Sequence, residues 1–359
     1  MKRRQLILAL GAGALAGPLA SFSQQPPRVW RLGFLAPAMS GTKPGDPSPY
    51  GMAFVRAMQA EGHTYGVDYS IETRAADGDY ERLPALAAEL LKLNVDILIP
   101  ISPPAVLAAH KASTTVPIVG IGMHDPVGTG MAASLARPGG NATGLATFYA
   151  ELIPKHIELL RSMLPKVSRV AVFSNAGKAT DSAIEAKVME AGKKLGFKFQ
   201  IVGGITRDEM SRAFAAMKRE RAGAVVALAD ASVLRERRLF ADLALKNRLP
   251  SFFATRESVQ AGGLASYGEN LVELFAQAAK YVSKIMKGAK PGDLPIEQPT
   301  KFSLVLNRTT AKALKLTIPQ GHQDLVVDVL LAELVLDDGD LLAVLPKCAW
   351  YSAISSDSE

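Results

Sequence analysis

The amino-acid sequence predicts an α/β protein built as two Rossmann-like lobes, each a parallel sheet covered by helices. Three observations carry this reading. From Trp30 onward, short β-branched runs alternate with segments of helical apolar period, the pattern of successive βα units. Residues 95–101 (VDILIPI) and 116–121 (VPIVGI) are apolar almost throughout, as strands buried on two faces are. After the turn Arg137-Pro-Gly-Gly-Asn-Ala-Thr-Gly144 the alternation starts afresh, which places a junction near Thr147. At 359 residues and 48% hydrophobic content the chain exceeds a typical single domain and can fill two cores.

The elements follow in order. Residues 31–36 form the first strand, 49–61 its helix and 68–73 the second strand. Asp79 offers an N-cap to a helix whose Leu83, Leu86, Leu90 and Leu93 share one face. Strands 95–101 and 116–121 complete the first half. In the second, Ile153, Ile157, Leu160 and Leu164 mark a helix before the strand 169–173. Helix 181–195 precedes strand 198–202, helix 208–221 precedes strand 224–229, and helix 232–246 precedes strand 250–253. Residues 271–287 place Leu271, Leu274, Phe275, Ala278, Val282 and Ile285 on one stripe ended by Gly288, a helix that could complete either lobe. Strand 301–306 and a short helix over 309–314 close the pattern.

The N-terminus reads as an address. Lys2, Arg3 and Arg4 precede a short Ala- and Gly-rich apolar run over residues 6–19, then Ser21, Phe22 and Ser23, the layout of a signal peptide covering residues 1–23. A spanning helix needs about 20 apolar residues, and Pro18 interrupts this run. Arg3-Arg4 fits a twin-arginine as well as a general export signal. The glycines at 11, 13 and 17 lack the preceding strand and following acid of a dinucleotide loop. The lone Cys348 excludes an internal disulfide, and no cysteine near residue 24 can carry a lipid anchor. The formal +7 is dispersed, without a helix-turn-helix segment or a basic cluster with aromatics, so no nucleic-acid partner is expected.

Ligands of open parallel sheets sit beyond the carboxyl ends of the strands. The loops there carry Ser40, Ser102, Asp125, Asn175 and Asp230, hydroxyl, amide and carboxylate groups suited to a zwitterion. Each of Ser102, Asp125 and Asp230 could equally cap the helix or turn that follows it. Catalysis fits poorly. The five histidines, His63, His110, His124, His156 and His322, lack metal-ligand spacing, and Ser266 in Leu264-Ala-Ser-Tyr-Gly268 lacks the first glycine of a nucleophile elbow. No catalytic residue, metal or cofactor is expected. Asn141-Ala-Thr143 matches a glycosylation acceptor but reads more simply as a turn.

The run Asp125-Pro-Val-Gly-Thr-Gly-Met-Ala-Ala-Ser-Leu-Ala-Arg-Pro-Gly-Gly-Asn-Ala-Thr-Gly144 resembles the hallmark of the ABC transporter substrate-binding family that includes the TrpX-type proteins. So do Arg82-Leu-Pro-Ala-Leu-Ala-Ala88, Ala261-Gly-Gly263 with Ser266-Tyr-Gly268, and Leu294-Pro-Ile-Glu-Gln-Pro-Thr-Lys-Phe302, together spanning residues 31–319. The resemblance implies a type I periplasmic-binding-protein fold whose two lobes are joined by a three-stranded hinge. It implies a first lobe of residues 31–146 plus 266–298 and a second of 147–265 plus 299–319. It matches the cleft positions to Ser40, Ser102, Asp125, Asn175, Asp230, Tyr267 and Asn270, with Tyr149 and Arg256 beside them. Departures are Asn175-Ala-Gly177, where relatives commonly show Asn-Pro, and residues 320–359, an atypical C-terminal extension that either belongs to the protein or reflects a reading-frame change.

The function expected is a monomeric periplasmic solute receptor of an ABC importer. It would bind a small amino acid or carboxylate, an apolar or aromatic side chain being favoured, and deliver it to an inner-membrane permease. The ligand carboxylate would meet Ser102 and the amides of the following helix start, and an ammonium group Asp125 or Asp230. The alternative is a periplasmic sensing module of the same fold that feeds a signalling partner. Export predicts cleavage before Gln24: N-terminal sequencing of periplasmic protein should begin there, and an intact Met1 would refute the signal reading.

Overall fold

The computed structural model describes residues 28–38, 48–174, 179–300 and 302–318. The signal segment 1–23, Ser40, Asn175 and the extension 320–359 lie outside the described residues. The chain forms two α/β lobes. The first sheet has the order β2-β1-β3-β4-β5, from β1 (Trp30–Ala36), β2 (Tyr69–Ala75), β3 (Ile97–Pro100), β4 (Ile118–Met123) and β5 (Ala142–Ala146), all parallel. Alternation along β1 explains its place. Leu32 and Phe34 enter a core with α1 (Pro49–Ala60), while Leu35 enters the opposite core with α2 (Leu83–Lys92) and α3 (Pro103–Ala112).

The second sheet runs β11-β10-β9-β8-β6-β7, from β6 (Arg169–Phe173), β7 (Lys198–Val202), β8 (Ala224–Ala227), β9 (Ser251–Phe253), β10 (Ala265–Gly268) and β11 (Ser303–Leu306). Only β11 is antiparallel, against β10. One face packs α4 (Tyr149–Met163), α5 (Ala179–Lys194) and α11 (Arg308–Ala313); the other packs α6 (Arg207–Arg219) and α8 (Arg237–Lys246). A capping box starts α6: Thr206 Oγ1 accepts from the Glu209 amide, and the Glu209 carboxylate accepts from the Thr206 amide.

Several expectations are corrected. The helix read over 232–246 is two, α7 (Ala231–Arg235) and α8, parted at Glu236, which holds φ −97° and ψ 24° and meets Arg207 and Arg235 at 3.2 and 3.5 Å. Asp79 caps a short 3-10 turn, Tyr80–Arg82, that feeds α2. Part of the 137–144 turn is strand β5, whose small residues give no period to read. Asn141 is no open glycosylation site, since its Nδ2 donates to the Ser113 and Val116 carbonyls at 3.0 and 2.8 Å.

The sheets exchange elements through three crossings. The chain passes from β5 into α4, from β10 into α10 (Leu271–Met286), and from Glu297 to β11. Helix α10 carries the apolar stripe read from the sequence and buries it on α1 in the first lobe. Residues 266–268, placed by sequence with the first lobe, pair with β9 and β11 in the second sheet. Before the last crossing Glu297 runs beside β5, its amide donating to the Gly144 carbonyl at 3.0 Å and its carbonyl accepting from Ala146 at 2.8 Å.

Gly144 permits β5 to pack closely against β4. It sits at φ 135°, and a Cβ there would stand 2.2 Å from the Gly120 carbonyl oxygen. Gly144→Ala should therefore cost about 2–4 kcal/mol through backbone strain and overpacking. Urea unfolding would read this as a lower midpoint at unchanged slope; a midpoint equal to the parent's would refute the constraint.

Candidate functional site

Between the lobes lies a cavity of about 620 Å³, inside the range of about 300–1,000 Å³ usual for small-molecule pockets. Its wall is built from strand ends: Ala36 at the end of β1, Ser102 after β3, Gly122 in β4, Asp230 after β8, Thr255 after β9 and Gly268 in β10. Between these, Ile121, Leu152, Leu228, Val233, Phe253 and Phe275 make the surface largely apolar. Among the described residues no group of three or more His, Cys, Asp or Glu could hold a metal ion.

Ser102 lines this cavity in a left-handed conformation, φ 78°, and makes no cap bond to α3; its Oγ is buried without a hydrogen-bond partner. The capping alternative for Ser102 is thus excluded. At the start of α3, where the ligand carboxylate is expected, fewer amides are available. Pro103 and Pro104 occupy the first helical positions and have no amide hydrogen to offer an anion.

Asp230 lines the cavity while also serving locally. Its Oδ1 accepts from the Ser232 amide at 2.7 Å and from the Ser232 hydroxyl, and its Oδ2 accepts from Tyr80 of the first lobe at 2.9 Å. Tyr149 also lines the cavity, its hydroxyl accepting from the Ala229 amide at 2.8 Å.

The remaining sequence candidates lie elsewhere. Asp125 is exposed and away from the cavity wall. It takes φ 40° and closes the turn after β4, one carboxylate oxygen accepting from the Gly128 amide at 2.9 Å. Tyr267 is turned from the cleft by strand alternation and packs on His156 (5.8 Å) and Phe302 (6.2 Å). Asn270 caps α10, accepting from Val272 and Glu273, and shares a small recess with Arg256 and Ser303 outside the main cavity.

Sequence reasoning missed Glu269, Ser48, Tyr50 and Tyr80, all on the cavity wall. Glu269 lies at the meeting of two crossings, accepting from the Phe148 amide at 2.8 Å and the Thr147 hydroxyl at 3.0 Å. Burial raises its carboxyl pKa against those two bonds. Its signal was its position between Gly268 and Asn270, inside a stretch read only for its neighbours. Tyr50 stacks on Phe275 at 5.3 Å, and burial followed by the charge of Glu257 in α9 (Arg256–Gln260) raises its phenol. Burial likewise raises Glu257. The wall also carries Lys187, 3.5 Å from Glu151, and the exposed His124 imidazole.

A family model described as ABC transporter substrate binding protein matches residues 51–325. A tyrosine-binding protein of Clostridioides difficile (strain R20291) is 25% identical over 264 residues, covering 73% of this chain and 75% of its own. A conserved domain protein of Vibrio cholerae superposes with a TM-score of 0.73 at 25% identity, over 84% of this chain and 99% of its own. An ABC domain from Streptococcus pneumoniae in complex with L-Trp gives 0.70 at 20% identity, over 84% and 100%. The two parallel-sheet lobes match type I periplasmic binding protein structures. No helix among the described residues is long and apolar enough to cross a membrane.

His156 supplies a pH test. Its Nε2–H donates to the Tyr267 carbonyl beneath the cleft, and burial, opposed by that bond, drops its imidazole to about 4. An unfolded histidine titrates near 6.5, so between about pH 6.5 and 4 the unfolded chain binds more protons and stability falls as pH falls. Over that window the parent should lose on the order of 3 kcal/mol more than His156→Gln in urea unfolding. Parallel pH profiles for the two proteins would remove His156 as the cause.

Proposed function

Since the chain belongs to the ABC transporter substrate-binding protein family, whose members are solute-binding components and not enzymes, we propose that it receives an amino acid with an apolar or aromatic side chain in the inter-lobe cleft. It delivers this ligand as a monomer to an inner-membrane permease. Residues 1–23 direct it to the periplasm, where such delivery takes place.

One observation carries the reading: a largely apolar cavity of small-ligand size has two carboxylates, Asp230 and Glu269, on its wall. Apolar walls suit a hydrophobic side chain, and carboxylates in a low-dielectric site suit an ammonium group. The relatives that bind tyrosine and hold L-Trp favour an aromatic ligand here. The burial-raised pKa of Glu269 supports the same assignment, because a bound cation would relieve the cost of its charge.

Calorimetry with L-tyrosine and L-tryptophan tests this. The parent should bind at least one of them. Removing one partner of a buried charge pair costs about 3–5 kcal/mol, so Asp230→Asn or Glu269→Gln should weaken binding more than about a hundredfold. Both substitutions preserve volume, and the amide introduced by Glu269→Gln retains an oxygen for the Phe148 N–H. Parent-like affinity in both variants would overturn the ammonium assignment, and a parent that ignores both amino acids would overturn the ligand class.

A further inference from the structure

The N-terminus of α1 is buried, and the hydroxyl at its cap position has no hydrogen-bond partner. Ser48, at the cap position, is 7% exposed, yet its Oγ makes no cap bond and has no hydrogen-bond partner. Pro49 follows, and the first amide bonded back to the cap is that of Met52, which donates to the Ser48 carbonyl at 2.9 Å. The amides of Tyr50 and Gly51, both buried residues, precede that first bond. A buried helix start normally finds a side chain or another acceptor for such groups. Ser48 and Tyr50 both line the cleft cavity.

This terminus belongs to a helix of 12 residues, so its amides and dipole favour an anion. The start of α3, which also borders the cavity, has prolines at its first two positions and so offers fewer amides. The acids on the cavity wall, Asp230 and Glu269, follow β8 and β10 of the second lobe. A zwitterion therefore meets opposite polarity in the two lobes.

We infer that the N-terminus of α1 is the carboxylate seat of the cleft, with the Ser48 hydroxyl and the Tyr50 and Gly51 amides as donors. This rests on the amino-acid reading above. A ligand held so spans the lobes, its carboxylate on α1 and its ammonium on the opposite wall. An aromatic amine without a carboxylate leaves the seat empty and binds weakly.

The test uses the full chain, with ¹⁵N labelling and calorimetry. The probes are L-tyrosine, L-tryptophan, tyramine, tryptamine, 3-(4-hydroxyphenyl)propionate and indole-3-propionate. The amino acids and propionates should shift the Tyr50 and Gly51 amide resonances, whereas the amines should not. A hydrogen bond to a charged group is worth enough that Ser48→Ala should weaken the carboxylate probes about tenfold or more, leaving the amines unchanged. The Ser48 side chain makes no bond to the helix, so this variant should fold, and the amide shifts in the parent need no variant. If the amino acids bind while those amides stay still and Ser48→Ala binds like the parent, the seat is overturned and the amino-acid reading stands. If only the propionates bind and move the amides, the seat stands and the ammonium assignment falls. If none of the probes binds, both fall.

Discussion

The Glu269 carboxylate, accepting from the Phe148 amide and the Thr147 hydroxyl, fixes how the two lobes meet. Thr147 and Phe148 carry the chain out of the first sheet, and Glu269 carries it back from the second. This half-buried acid thereby ties two crossings and holds the Phe148 amide at the start of α4, while its neighbour Asn270 caps α10. At the third crossing Glu297 pairs through its backbone beside β5, while its carboxylate accepts from Gln277. The junction is held by a carboxylate on one side and a ladder on the other. Displacing the acid frees a helix start, whereas displacing the ladder breaks sheet pairing.

Packing around this junction explains the unequal construction of the cleft. Helix α10 leaves the second sheet but buries its stripe on α1, so the first-lobe wall of the cavity includes Tyr50 and Phe275 stacked together. Opposite, the ends of β8 and β9 supply Leu228 and Phe253. Apolar surfaces thus face each other, and the polar groups stand at the margins, where helices and crossings begin.

The sheets were legible because strands buried on both faces carry long apolar runs, and helices such as residues 271–286 carry an unbroken stripe. Strands β5 and β10 were not, since Ala142–Ala146 and Ala265–Gly268 are short and rich in small residues, with Gly144 and Gly268 in close backbone approach. The site was half legible. The rule that ligands meet strand ends led to Ser102 and Asp230, which line the cavity, and equally to Asp125, which closes the following turn. Sequence cannot tell a cap from a ligand contact, because both use one short polar side chain at one place. Glu269 and Ser48 escaped for the converse reason: burial and the lack of a local partner single them out, and both are properties of the folded chain.

The bond from Tyr80 to Asp230 bears on how the lobes meet. With Arg235, which donates to the Asp77 carbonyl at 2.7 Å, it joins the lobes directly, without a solute between them. A bound solute shifts a conformational equilibrium only by its differential affinity for the two states. Direct inter-lobe bonds favour the arrangement in which the lobes meet, whether or not a solute lies between them. Asp230 spends one carboxylate oxygen on such a bond, so a solute that drew on that oxygen would first have to break the clasp.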